Sequence, residues 1–275
     1  IVSLYSHRIM LKENFHPNIG LSFENKEQLF DIILHIKNLI SPCTPIFIYA
    51  TSIFRIMKPK IRKQFKEEFK NKTGLTLNVL SQEQENEFIA SSPGKLPFSD
   101  PYLVCCIGGS STEMAVIHNN KILENITVEF ANADMINHFP ELKEDYSSVD
   151  ISVLEKYVYD NMIFPKTKCK NAIMVGWHLL QTTIADLPLK KNTFFNDPNI
   201  PYYLDTNTYL SESENIILHS NLQNFKNKIP DDAKVFSGFR GCCAITRCLL
   251  KEVEAEYYFP TNLNMIHGIM KTLNS

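Results

Sequence analysis

Between Leu103 and Ile117 the chain reads Leu-Val-Cys-Cys-Ile-Gly-Gly-Ser-Ser-Thr-Glu-Met-Ala-Val-Ile: an apolar run, a small polar turn, and a second apolar run. That pattern predicts a strand, a tight turn and a strand. Only 9 of 275 residues are glycine, and two of them stand together at Gly108 and Gly109. Glycine lets the backbone turn through positive φ and lets a ligand approach it closely. Ser110, Ser111 and Thr112 follow with hydroxyls, and Glu113 with a carboxylate. Consecutive N–H groups in such a turn can cradle a phosphate. A carboxylate beside them can hold a divalent cation through an oxygen or its water shell. The same residues also suit an ordinary hairpin turn with polar decoration.

The surrounding elements read as follows. Ser22 to Ile40 predicts a helix, with Leu29, Ile33, Ile36 and Ile40 on one face. Pro42 and Pro45 end it, and Ile46 to Tyr49 is a short strand. A second helix carries Ile61, Phe65 and Phe69 at i, i+4 and i+8, and Thr73-Gly74 stops it. Leu75 to Leu80 is the next strand, after which Ser81-Gln-Glu-Gln-Glu85 opens a helix. Strand–helix alternation predicts an α/β protein with at least partly parallel pairing. From about Thr127 helical patterns dominate, with Ser152-Val-Leu-Glu155 expected as a capping box. Ala172 to Val175 is expected as a strand, Leu189 to Tyr203 as a loop, Ser237 to Val253 as a buried helix, and Glu256 to Phe259 as a strand before a final helix.

Composition excludes several classes. Apolar residues make up 44%, enough for sizeable cores, and the net charge of −2 gives no overall field for nucleic acid. No apolar stretch is long enough to span a bilayer. Seven cysteines without Cys-x-x-Cys spacing predict reduced thiols and a cytoplasmic protein. The eight histidines show no metal-ligand spacing. The pair His178 and Trp177 reads as core packing with one satisfied nitrogen rather than as an aromatic pocket. Lys58-Pro-Lys-Ile-Arg-Lys63 reads as a solvated helix face, with the alternative that it lends positive charge to a polyanion site.

Four segments together resemble the exopolyphosphatase/guanosine pentaphosphate phosphohydrolase (Ppx/GppA) family. They are Ala50-Thr-Ser-Ile-Phe-Arg55, the run Thr73 to Glu85, Ile107-Gly-Gly-Ser-Ser-Thr-Glu113, and Val235-Phe-Ser-Gly238 with His267-Gly268 in the last helix. The resemblance implies a two-lobed fold of the actin-like, sugar-kinase-like ATPase superfamily with ribonuclease H-like lobes. Its expected lobes are residues 1–126 and 127–275, around an interlobe cleft. It implies Mg²⁺-dependent hydrolysis of a phosphoanhydride in inorganic polyphosphate or a guanosine penta- or tetraphosphate. By its motifs Glu85 is the catalytic base, with Glu83 as the neighbouring alternative. Gly108, Gly109, Ser110, Ser111, Thr112 and Arg55 bind phosphate, and Glu113 serves the metal. A homodimer is compatible with it; nucleic-acid and membrane partners are not expected. A non-catalytic module that senses a phosphorylated ligand is the rival reading, and a sugar-kinase-like phosphotransferase lacks a recognisable acceptor pattern.

The departures are specific. The family's first phosphate loop, of the type Asp-Ile-Gly-Ser-Asn-Ser, has no match, and Ile1 to Leu11 looks like the strand that follows it. The expectation is a chain truncated before Ile1 or a diverged member. Cys106 and Ser110 stand where the second loop normally has Asp and a third Gly, and Gly176-Trp-His178 replaces an expected Gly-Gly-Thr turn. Cys106 cannot supply a hard oxygen to Mg²⁺ and reads as a small buried hydrophobe, so weakened catalysis is expected.

Overall fold

The computed structural model describes residue 11, residues 14–229 and residues 238–273. The stretches Ile1 to Met10 and 230–237 lie outside the described residues, and with them most of the expected first strand and of the Val235-Phe-Ser-Gly238 motif. The chain forms two compact units, residues 1–85 and residues 86–275. Positions 126 and 127 fall together in the second unit, inside one strand.

The first unit contains α1 (Phe23–Leu39), β1 (Ile48–Ala50), α2 (Ile53–Ile56), α3 (Pro59–Thr73) and β2 (Leu77–Val79), and α4 (Gln82–Ser91) begins in it. Ser22 caps α1 by accepting the Asn25 N–H, and Gly74 ends α3 at φ +71°. That left-handed conformation costs little only for glycine. β1 and β2 pair in parallel. Phe65 and Phe69 turn the apolar face of α3 onto Phe30, and Phe65 also meets Phe54. At α4 the first turn is closed reciprocally: Gln84 N–H donates to Ser81 Oγ, and Ser81 N–H to Gln84 Oε1.

The second unit is a seven-stranded mixed sheet. Its strands are β3 (Tyr102–Ile107), β4 (Thr112–His118), β5 (Lys121–Val128), β6 (Asn171–Val175), β7 (Lys190–Lys191), β8 (Tyr202–Asp205) and β9 (Tyr257–Pro260), in the order β5-β4-β3-β6-β9-β8-β7. β3, β4 and β5 form an antiparallel meander, and β3, β6 and β9 run parallel. Alternate side chains divide between two cores. Leu103, Cys105, Met114, Val116, Ala172 and Met174 face one, and Tyr102, Val104, Ala115, Ile117, Ile173 and Val175 the other. Helices α5 (Asn132–His138), α6 (Ile151–Asn161), α7 (His178–Ile184), α8 (Thr206–His219), α9 (Leu222–Lys228) and α10 (Phe239–Glu252) contribute to the first, and α4 and α11 (Met265–Leu273) to the second. This is the α/β class expected.

Two expectations need correcting. The cap of α6 is Asp150, whose Oδ1 accepts the Ser152 N–H at 2.7 Å, so Ser152 is already helical. Glu155 is drawn away from any capping role by Arg247 and Lys251, at 2.9 and 2.7 Å. The stretch 189–203 is not all loop, because β7 and the start of β8 pair within it.

Candidate functional site

In the second unit the parallel strands β3, β6 and β9 all end at one edge of the sheet, since Cys106 pairs with Val175 and Met174 with Pro260. The crevice outside the carboxyl ends of parallel strands is where open α/β sheets bind ligands. The Gly108–Ser111 turn leaves β3 there, and Gly176 leaves β6 there.

The turn is held from one side. Gly108 N–H donates to Ser111 O at 2.9 Å, and a Cβ on Gly108 would lie 3.0 Å from that oxygen. The carbonyls are tied to the start of α5. Asn132 Nδ2 donates to Gly108 O at 3.2 Å, and Ala133 N–H to Gly109 O at 2.9 Å. Among the described residues, the backbone N–H groups of Gly109, Ser110 and Ser111 have no backbone acceptor. A Cβ on Gly109 would meet nothing within 4 Å, so that side of the turn is open. Gly176, at φ +114°, is likewise open. Carbonyls that are bonded beside N–H groups without a backbone acceptor are an arrangement that suits a phosphate oxygen.

The side chains divide by task. Ser111 Oγ donates to Glu113 Oε1 at 2.6 Å. Thr112 is buried, and its hydroxyl donates to Phe130 O at 2.7 Å, so that hydroxyl fastens the turn to the fold. Glu113 is only 3% exposed and stands directly across the β3–β4 ladder from Cys106. Asn132 is the residue that sequence reading missed. Its contact crosses 24 positions, and no local motif signals it.

Whether these residues suit Mg²⁺ follows from the donors. No group of three His, Cys, Asp or Glu among the described residues gathers as a metal site. Glu113 offers one carboxylate beside a hydroxyl and a soft thiol. That set does not make a resident metal centre. It does fit Mg²⁺ that arrives with phosphate oxygens and keeps most of its water.

In the first unit, Arg55 and Glu85 meet. Arg55 Nη1 donates to Glu85 Oε2 at 2.7 Å and to Leu80 O at 3.4 Å, and Nη2 donates to Gln82 Oε1. Their side chains are 22% and 14% exposed. Glu83, by contrast, is exposed. Glu85 also lies in the first turn of α4, where the helix dipole favours a negative charge.

His178 is buried at the β6–α7 turn, with Nδ1 3.1 Å from Tyr258 Oη and Nε2 3.9 Å from Cys242 Sγ. Burial holds its pKa down to about 4, so it is neutral at physiological pH and serves the core. Trp177 does not join it there and is exposed. None of the seven cysteines forms a disulfide. No helix among the described residues is long and apolar enough to cross a membrane.

Residues 7–131 match the model of the Ppx/GppA phosphatase family. In structure the chain is similar to the Aquifex aeolicus Ppx/GppA family member, with a TM-score of 0.69 and 18% identity over 96% of this chain and 85% of that one. It is similar as well to an exopolyphosphatase from Cytophaga hutchinsonii, with a TM-score of 0.72 and 13% identity over 96% of this chain and 84% of that one. No curated protein matches the chain in sequence.

Proposed function

We propose that this chain, which carries a Ppx/GppA phosphatase family segment over residues 7–131 and has the fold of that family's structures, hydrolyses terminal phosphoanhydride bonds of inorganic polyphosphate or a guanosine polyphosphate. The observation that carries the reading is the Gly108–Ser111 turn, with the carbonyls of Gly108 and Gly109 bonded to the start of α5 and three N–H groups without a backbone acceptor among the described residues. In this reading the amides of Gly109, Ser110 and Ser111 hold phosphoryl oxygens and stabilise the charge that grows on them. Ser111 adds its hydroxyl, and Glu113 orients that hydroxyl through their 2.6 Å bond. Glu113 would hold the Mg²⁺, which when bound supplies further neutralisation of phosphate charge.

Glu85 is the general base, positioning a water and taking its proton. Without substrate its carboxylate is held by Arg55. A guanidinium binds phosphate as readily as carboxylate. When Arg55 turns to a phosphate, Glu85 is released to accept a proton, so substrate itself switches the base on. Cys106 beside Glu113 favours the second reading, a ligand-sensing module, because it removes a hard ligand from the loop.

The test is phosphate release from polyphosphate and from guanosine pentaphosphate, for the unmodified chain and for Glu85→Gln. Loss of a general base predicts a fall in kcat of about 10²–10⁴-fold with KM little changed. Tight binding of either ligand with no release from the unmodified chain would move the assignment to the sensing module.

A further inference from the structure

Trp177 has no task in the account so far. It is the chain's single tryptophan, and it is 45% exposed, while its neighbour His178 is buried against Tyr258. Exposure of one apolar side chain is ordinary in itself. Its place in the sheet is what counts. Cys106 pairs with Val175 in the parallel β3–β6 ladder. The residues that follow, Ile107-Gly108 and Gly176-Trp177, therefore leave neighbouring strands about 5 Å apart. Trp177 thus stands beside the Gly108–Ser111 turn at the same carboxyl edge. Gly176, just before the ring, has nothing within 4 Å of its Cβ position, so a flat group can come close to the backbone there. The loop after β9 closes the other side of this segment. Gly176 N–H donates to Leu263 O at 2.5 Å, and Leu180 N–H donates to Asn262 Oδ1 at 3.0 Å. The second bond fixes the exposed Asn262 amide by its oxygen and leaves its NH2 group as a donor.

We propose that Trp177 is a specificity residue, the stacking platform for the guanine of a guanosine polyphosphate whose phosphates lie on the Gly108–Ser111 turn. An exposed indole offers a base a π-face to stack on. The phosphate turn lies one strand away, within reach of the same small molecule. Asn262 Nδ2 supplies a donor for N7 or O6, the acceptors that guanine carries. The inference rests on the phosphoanhydride reading above and narrows its substrate to the guanosine member. Inorganic polyphosphate has no π-face and leaves the ring without a role.

Because the chain has one tryptophan, its fluorescence reports on this ring alone. Guanosine tetraphosphate should quench it saturably, and tripolyphosphate should bind without quenching. Calorimetry on the full chain, on Trp177→Ala and on Trp177→Phe then separates stacking from phosphate binding. Affinity for guanosine tetraphosphate should fall about tenfold in Trp177→Ala and be largely restored in Trp177→Phe, while affinity for tripolyphosphate stays the same in all three. Binding of guanosine tetraphosphate without quenching, an equal loss for both ligands in Trp177→Ala, no loss for either, or no binding of either by the unmodified chain would overturn the platform. The quenching arm needs no variant, so a misfolded Trp177→Ala leaves the proposal open to refutation. Phosphate release is followed separately. Quenching and the selective loss without release would count against the hydrolase reading and leave the platform standing, whereas release without quenching would do the reverse.

Discussion

At the scale of single residues, Cys106 and Glu113 make the sharpest case. They face each other across two strands, one as thiol and one as a nearly buried carboxylate. Cys106→Asp sets two carboxylates side by side where like charges repel. The variant should lose about 1–2 kcal/mol of stability in EDTA and recover much of it with Mg²⁺ and tripolyphosphate, as read by melting temperature. A variant insensitive to the cation would mean that the pair does not face a metal position. Restored hard ligation should also raise phosphate release; a tenfold gain is about 1.4 kcal/mol of transition-state stabilisation.

His178 gives a second residue-scale prediction. Burial lowers its folded pKa to about 4 from 6.5, so the unfolded chain binds a proton that the folded chain refuses. Stability is therefore full above pH 6.5 and falls as pH drops toward 4, by up to about 3 kcal/mol. Urea unfolding at pH 7.5, 6 and 5 should show a weaker pH dependence in His178→Gln than in the unmodified chain. Equal slopes would place the proton elsewhere. The core role of His178 was legible in the sequence, because a His–Trp pair is more often core packing than a ligand pocket. The exposure of Trp177 was not, because a turn at positive φ decides which of two neighbours points inward.

At the scale of elements, the helix ends and apolar faces of the first unit could be read directly. Ser22 and Gly74 mark boundaries by local chemistry, and Phe65 and Phe69 mark a face by spacing. The cap of α6 was misread because Asp150 and Ser152 both offer cap chemistry, and the choice between them depends on Arg247 and Lys251, far along the chain. Nothing local marks Gly268 as a contact residue. Its Cβ position lies 1.8 Å from Phe88 O, so α11 crosses α4 with backbone against backbone. Gly268→Ala should cost about 1–3 kcal/mol by overpacking, whereas Gly109→Ala, with open space at its Cβ, should leave the melting temperature unchanged. Equal effects at the two sites would refute that contrast.

Arg240 is likewise invisible to sequence reading. It is fully buried and donates to the carbonyls of Leu142, Glu144, Asp145, Ile216 and Ser220. One side chain thus fastens the turn before α6 to the end of α8. Arg240→Ala leaves buried carbonyls without donors and should cost about 3–5 kcal/mol, checked by urea denaturation. A loss below 1 kcal/mol would mean that water replaces the guanidinium.

At the scale of the whole molecule, the strand order carries the functional argument. The β3–turn–β4 hairpin was legible because its pattern is local. That β6 lies parallel beside β3, and β9 beside β6, was not, since those pairings join residues some 70 and 85 positions apart in the chain. Yet those pairings bring the Gly108–Ser111 turn and Gly176 to one carboxyl edge. The central claim is that the N–H groups of this turn receive phosphate. The most direct measurement is an amide-resolved NMR titration of the chain with tripolyphosphate. The amides of Gly109, Ser110 and Ser111 should shift together and saturate at one affinity. Saturable shifts elsewhere while these three amides stay still would contradict the account.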